Sequence, residues 1–241
     1  MLHRARLLLR RIARIDVSRF PGEDAGYRRA LLLAHHKIDA VIDVGASDGR
    51  YGAELRRFGY AGRIISFEPL PAAYELLAAR AKKDSKWQTM PLALGAEAKE
   101  VALRIAANAG ASSSILSMLP SHLRAAPDAR VSSTVVVEQQ RLDELWEELI
   151  DPSERVFVKL DVQGYEDRVL DGARICLDHW RGMQVEMSLV PLYSGGAQFD
   201  AIMAFAKAAG FSLMSLDAGF WDKSMGRMLQ VDGTFFREAR T

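Results

Sequence analysis

From residue 40 onward the chain alternates between two hydrophobic rhythms. Dense apolar runs read as buried strands: VIDVGA (41–46), RIISFEP (63–69), a short run near 87–92, RVFVKLDV (155–162) and MQVEMSL (183–189). Between them, apolar residues recur at helical spacing in RYGAELRRFG (50–59), over 71–82, over 166–177 and in FDAIMAFAKAAG (199–210). Gly59 and Gly210 close two of these helices, and Pro69 stops the second strand. Further amphipathic helices are expected over 24–36 and in RLDELWEEL (141–149). Strands and helices in alternation predict βαβ units and a parallel sheet.

Two stretches break the rhythm. Residues 100–138 hold EVALRIAA and STVVVEQQ around the polar loop AGASSSILS, with no long helix. This predicts an inserted hairpin or added strands near the sheet edge. FSLMSLD and MLQVDGTFFRE are separated by turn residues alone, so they are expected to pair antiparallel. The expected class is therefore α/β, a mostly parallel sheet with a terminal antiparallel hairpin. NAD-binding domains of the Rossmann type usually finish with parallel strands instead.

Composition narrows the setting. Apolar residues make up 49% and charged residues 26% of 241, as in ordinary globular proteins. No apolar run approaches the ~18–20 residues that span a bilayer. Cys176 is the single cysteine, which excludes an internal disulfide or a thiolate-rich zinc site and suits a reducing, cytoplasmic compartment. The net charge of +1 argues against nucleic acid as a partner, but it is unevenly placed. Residues 1–20 carry Arg4, Arg6, Arg10, Arg11, Arg14 and Arg19 against Asp16, so that segment is +5 and the remainder −4. On a helix, Ala5, Leu8, Leu9, Ile12 and Ile15 would share a face. That pattern suits either a peripheral contact with the inner face of an anionic membrane or a packing helix with a solvated basic side. The chain is thus read as a basic helical extension over 1–37 followed by one domain over 38–241.

The stretch VIDVGASDGRYG (41–52) follows a strand and opens a helix, the context of a nucleotide-binding turn. Ser47 stands where the dinucleotide fingerprint needs its second glycine, and there is no lysine of the triphosphate-binding type. What remains is an Asp43-x-Gly45-x-x-x-Gly49 turn, with Asp43 and Asp48 placed to favour a cation over a phosphate. S-adenosylmethionine carries a sulfonium, an ammonium and a ribose, and no phosphate. Glu68, at the end of the second strand, is placed to accept hydrogen bonds from ribose hydroxyls. Asp161 ends another buried strand in VKLDVQGYEDRVLDGA (158–173), at the sheet edge where ligands bind in such folds. Glu166 in the next helix reads equally as functional or as a helix-dipole acid, and Lys159 as a solvated neighbour.

The segments VIDVGASDG, ISFEPLPAAYELL, LALG, SSS, RLDEL, VKLDVQGYEDRVLDGA and VEMSLVPLY resemble, in order and spacing, the FkbM family of S-adenosylmethionine-dependent methyltransferases over about residues 38–236. The resemblance implies the seven-stranded class I (Rossmann-like) methyltransferase fold, with helices on both faces. It also implies O-methylation of a hydroxyl on a sugar, glycolipid or polyketide-type metabolite. By position, Asp43, Gly45, Ala46, Ser47, Asp48 and Gly49 would line the methionine part, and Glu68 and Pro69 the ribose. Ala93 and Leu94 would flank the adenine, with Ser113 or Ser114 nearby and Asp161 facing the methyl group. Where Ser47 stands the family more often has asparagine.

Methyl transfer from a sulfonium needs alignment and removal of the acceptor proton, and no metal. The candidate bases are Asp161, Glu186 and His122 in PSHLRAAP, the last more often a surface residue in such a loop. Asp161 and Glu186 alone would make an incomplete metal site. Tyr193 reads as core or as a wall of the acceptor pocket. Phe220, Trp221, Phe235 and Phe236 read as core or as a contact between two copies of the chain. Two other classes stand as alternatives: a nicotinamide-dependent oxidoreductase and a catalytically silent membrane-associated nucleotide-binding adaptor.

Overall fold

The computed structural model describes residues 24–238, together with Ile12. The arginine-rich helix and membrane contact read over residues 1–20 therefore lie outside the described residues, Ile12 apart. Helix α1 spans Ala25–His35, with the Asp24 side chain accepting from the Tyr27 N–H at 2.9 Å as an N-cap. Then follow β1 (Ala40–Val44), α2 (Arg50–Arg57), β2 (Arg63–Phe67), α3 (Pro71–Ala81) and β3 (Trp87–Met90). The middle of the chain forms β4 (Ala93–Leu94), β5 (Lys99–Ala106), α4 (Pro120–Ala125) and β6 (Val131–Gln140). The remainder is α5 (Leu142–Leu149), β7 (Val156–Leu160), α6 (Glu166–Asp171), β8 (Trp180–Ser188), α7 (Phe199–Ala208) and β9 (Phe211–Ala218). A small hairpin of β10 (Trp221–Asp222) and β11 (Arg227–Met228) leads into β12 (Gln230–Arg237). Among the described residues no helix is long and apolar enough to cross a membrane.

The main sheet has seven strands in the order β3-β2-β1-β7-β8-β12-β9, and β12 alone is antiparallel to its neighbours. The final two strands do pair antiparallel, with β12 slotted between β8 and β9. Every residue of β1 and β7 is buried, as expected for central parallel strands covered on both faces. Alternation divides them. Ala40, Ile42, Val44, Val158 and Leu160 face a core completed by Leu142 and Trp146 of α5, Val169 and Leu170 of α6, and Ile202 of α7. Val41, Ile64 and Phe157 face the other core, with Leu33 of α1, Leu55 of α2 and Leu77 of α3.

Residues 99–140 supply the inserted hairpin, one of the two forms expected of this stretch. Instead of extending the edge of the main sheet, β4, β6 and β5 form a separate three-stranded sheet, with β5 and β6 antiparallel. Only one face of this sheet is apolar. Val101, Leu103 and Val137 pack with Ala93 and Leu70, which fastens the insert over the start of α3. The helix expected over 166–177 is also shorter. It ends at Asp171, because a Cβ at Gly172 would stand 1.9 Å from the Gly95 carbonyl oxygen, and a 3-10 turn over Cys176–His179 replaces its second half.

Helix α2 approaches the sheet closely through Gly52, where an added Cβ would lie 2.3 Å from Trp87 Cζ2. Gly52→Ala is therefore expected to lose about 1–3 kcal/mol of stability despite its better helix propensity. Urea denaturation followed by tryptophan fluorescence measures this; an unchanged or raised midpoint would refute the packing.

Candidate active site

Three acids sit at the carboxyl ends of adjacent strands: Asp43 inside the end of β1, Glu68 just past β2 and Asp161 just past β7. The turn after β1 is built from left-handed backbone, with φ of 75° at Gly45, 49° at Ser47 and 81° at Gly49. Gly45 is required by the protein itself, because a Cβ there would fall 1.9 Å from the Asp161 carbonyl oxygen. The left-handed conformation at Ser47 is one that asparagine tolerates better than most residues.

The turn is poorly suited to cradle a pyrophosphate, since four of its backbone donors are used internally. The N–H groups of Gly45 and Ala46 both donate to the Phe67 carbonyl (3.0 Å each), and that of Gly49 donates to the Ala46 carbonyl (2.9 Å). The Ser47 N–H donates to Glu68 Oε2 at 2.7 Å. This argues against a dinucleotide and hence against the oxidoreductase alternative. Glu68 also accepts from the Leu70 N–H at 2.8 Å on Oε1, so each carboxylate oxygen is anchored once and keeps a free lone pair. Burial raises the Glu68 pKa, partly offset by these two backbone bonds.

The acids do not present the open negative field that their spacing suggested. Asp43 is fully buried, with Lys159 Nζ 3.2 Å from its Oδ1 and the Ser66 hydroxyl donating to Oδ2 at 3.4 Å. It lines neither cavity described below and supports the turn from beneath. Asp48 is paired with Arg50 at 2.8 Å and Arg80 at 3.6 Å. Lys159 is not a solvated neighbour: it is 6% exposed, donates to the Gly45 carbonyl at 3.1 Å and lies 3.4 Å from Asp161 Oδ2. Burial pulls its pKa down, but Asp43 and Asp161 more than reverse this, and the net direction is up. The Tyr51 ring lies 5.3 Å from Lys159 Nζ, and its hydroxyl donates to Gln184 at 3.2 Å.

The second loop, after β7, is held by Glu166. This side chain is 2% exposed, and its Oε1 accepts from the N–H groups of Val162 (3.0 Å) and Gly164 (3.2 Å). Burial pushes its pKa up to about 7, with Asp161 adding to the rise and the backbone bonds opposing it. Gln163, at φ 56°, donates from Nε2 to Asp161 Oδ1 and to Glu186 Oε2, both at 2.8 Å. Its Oε1 accepts from the Tyr193 hydroxyl at 2.7 Å. Glu186 Oε2 also accepts from Gln230 at 2.7 Å. Its pKa is raised well above the usual range, first by burial and then by Asp161, Glu166 and Asp232.

Two cavities meet over this floor. The inner one, about 110 Å³, is lined by Glu68, Pro69, Ala93, Leu94, Ser113, Ser114 and Asp161 among others, and is mostly apolar away from the acids. The wider cleft, about 950 Å³, is lined by Ala46, Ser47, Asp48, Tyr51, Leu76, the loop 105–111, Lys159 and Asp161. Asp161, Gly45 and Ser47 border both. The Ser114 hydroxyl donates to the Gln163 carbonyl at 2.8 Å, and Ser113 Oγ accepts from the Ala106 N–H at 3.1 Å. His122 is not brought to either cavity. It is buried in α4, rather than at the surface, between the rings of Tyr193 and Phe220, both at 5.2 Å between centroids. Burial lowers its pKa, as expected for a neutral core imidazole. Lys159 and Gln163 are the site residues sequence reasoning passed over. A lysine inside the run VFVKL was the available signal for the first.

The family described as Methyltransferase FkbM domain matches residues 43–213, more than half of the chain. The chain belongs to the FkbM methyltransferase family. Its cofactor is accordingly S-adenosylmethionine. Among solved structures, a Klebsiella pneumoniae protein classed as an O-methyltransferase aligns over 98% of this chain and 90% of its own at 11% identity, with a TM-score of 0.50. A 1,6-didemethyltoxoflavin-N1-methyltransferase from Burkholderia thailandensis, with bound S-adenosylhomocysteine, aligns over 90% and 80% at 12% identity and a TM-score of 0.43. A TehB-like S-adenosylmethionine-dependent methyltransferase from Corynebacterium glutamicum aligns over 98% and 97% at 11% identity and a TM-score of 0.41. No curated protein matches the sequence significantly. In this FkbM domain the donor set fits the cofactor. The inner cavity is apolar enough for an adenine, a carboxylate with free lone pairs stands at its wall, and the partly exposed Asp161 carboxylate borders both cavities.

Glu166 makes the loop sensitive to pH in a defined direction. Its carboxyl titrates near 4.5 unfolded and about 7 folded, so both states are protonated below that window and both are ionised above it. Its contribution to stability therefore falls as pH rises through the window, by on the order of 3 kcal/mol in all. Glu166→Gln keeps the one oxygen that accepts both N–H groups and cannot ionise. Relative to wild type it is expected to gain stability at pH 8 compared with pH 5, whereas Glu166→Ala should lose stability at both. Urea titrations at the two pH values decide, and parallel pH profiles for wild type and Glu166→Gln would contradict the assignment.

Proposed function

We propose that the protein methylates a hydroxyl group of a small-molecule acceptor, a sugar, glycolipid or polyketide-type metabolite, with Asp161 as the general base. The observation that carries this reading is the position of the Asp161 carboxylate, which borders both the inner cavity and the wider cleft. When bound, S-adenosylmethionine supplies an electrophilic methyl group on a sulfonium. The chain's own residues supply what that chemistry lacks. In this reading Glu68 takes the ribose hydroxyls on its free lone pairs, and Pro69, Ala93 and Leu94 wall the adenine. Ser113 closes the slot, and Ser114 pins its rim to the Gln163 turn.

An acceptor entering the wide cleft meets Asp161 at its floor. One Asp161 oxygen is held by Gln163 and the other faces Lys159, so the carboxylate is oriented beside a cation. A hydroxyl must lose its proton as it attacks, whereas a neutral amine needs no base to attack, so a fixed carboxylate at this point favours an alcohol as acceptor. Holding the acceptor in line contributes several kcal/mol. The base contributes about 10²–10⁴-fold. Glu186 is screened from the cavities behind Gln163 and supports Asp161 from there, while His122 backs the Tyr193 ring.

Calorimetry is expected to show micromolar binding of S-adenosylhomocysteine and none of NAD(H). Glu68→Ala should weaken that binding by about 10–150-fold, the equivalent of a charged hydrogen bond. Unchanged affinity in a folded variant would remove Glu68 from the pocket. Asp161→Asn should cut methyl transfer by about 10²–10⁴-fold with affinity for S-adenosylhomocysteine held within a few-fold. The acceptor is found by labelled-methyl transfer into glycolipid and sugar-nucleotide extracts, with mass spectrometry of the product. A methyl on nitrogen or carbon would overturn O-methylation.

A further inference from the structure

Gln163 occupies a costly backbone conformation and spends its whole side chain on three partners. A non-glycine residue at φ 56° costs on the order of 1 kcal/mol, and glutamine has no special tolerance for it. The orientation of its amide is dictated by those partners. Nε2 lies within hydrogen-bond distance of a carboxylate oxygen of each acid and Oε1 meets the Tyr193 hydroxyl, so the NH₂ end donates to Asp161 and Glu186 and the carbonyl end accepts from Tyr193. A flipped amide would set its oxygen against two carboxylates.

We propose that Gln163 is the positioning residue of this site: its amide clamps the carboxylates of Asp161 and Glu186 into one unit, and Tyr193 locks the clamp. The clamp is a matter of geometry; its service to methyl transfer rests on the proposed role of Asp161. It places a neutral double donor between two acids that would otherwise repel, and it turns Asp161 Oδ1 away from free rotation so that the carboxylate keeps one attitude at the cavity floor. The groups around it leave little slack. Lys159 holds the other Asp161 oxygen, Gln230 shares Glu186 Oε2, and Asp232 is the cross-strand partner of Glu186. Glu166 braces the backbone on both sides of Gln163 through Val162 and Gly164. Tyr193 comes from the loop after β8, and its hydroxyl also lies 3.2 Å from the Ser112 carbonyl, so the clamp reaches the roof of the cavity.

A glutamate at this position discriminates a clamp from mere packing. Ionised, the introduced side chain would be a third carboxylate with no proton to give. Protonated, it keeps the carbonyl acceptor for Tyr193 and one O–H donor, and so recovers one of the amide's two donor bonds. Thermal unfolding of the full chain is expected to place Gln163→Glu about 2–4 °C below wild type at pH 5. At pH 8.5 it should fall about 4–8 °C below wild type. Gln163→Met, which keeps the length and loses all three bonds, should bind S-adenosylhomocysteine within a few-fold of wild type. With the acceptor identified by labelled-methyl transfer, it should lose at least tenfold in kcat with KM for S-adenosylmethionine unchanged. A Gln163→Glu pH profile parallel to that of wild type overturns the clamp, as does full kcat in Gln163→Met. Failure of the wild type to bind S-adenosylhomocysteine would instead strike the functional reading and leave the stability result standing.

Discussion

The ammonium of Lys159 lies where the ends of β1 and β7 meet, in contact with the Asp43 carboxylate, the Gly45 carbonyl and the Asp161 carboxylate. Burying Asp43 without a cation would cost several kcal/mol, and so would burying the lysine without its acids. Together they form a unit of two acids and one base, and the surplus negative charge emerges at Asp161, whose side chain alone among them is substantially exposed, at 34%. The turn above depends on the same ammonium, since it holds the Gly45 carbonyl while Asp161's own carbonyl passes just beneath Gly45. The two loops that border both cavities are thus built on one buried charge.

Much of the fold was legible because its signals are local. Alternating apolar runs and helical spacings place the strands and helices of the main sheet to within a few residues, and the closing antiparallel pair follows from the shortness of its connection. The insert was legible as a hairpin or added strands, without the way it attaches. Whether it joins the main sheet or folds over it depends on which single face is apolar, and the half-buried pattern of Val101, Leu103 and Val137 decides for the latter only once Leu70 and Ala93 are brought beneath it. The length of α6 was misjudged for a similar reason, since Gly172 ends it through contact with Gly95, far away in sequence.

The site was legible in its outline and less so in its electrostatics. Glu68 and Asp161, singled out as strand-end acids, both line the inner cavity, and the broken glycine fingerprint pointed away from a pyrophosphate. The structure adds why: the backbone donors of that turn are consumed by Phe67, Ala46 and Glu68. Asp43 and Lys159 carry matching parity on paired strands, Cα partner to Cα partner, so their neutralisation depended on a register that spacing alone does not reveal. Gln163 was hidden more thoroughly, because its three partners come from the loop after β7, from β8 and from the loop beyond it.

The insert and the loops after β7 and β8 are stitched together by a few polar contacts: Ser114 to the Gln163 carbonyl, Tyr193 toward the Ser112 carbonyl, and Met118 bridged to Tyr193. The insert is therefore no interchangeable cassette. A lineage that reshapes it must keep these stitches or redesign those loops with it, so divergence is expected to run through the outward side of the 105–111 loop, where the chain is free of them.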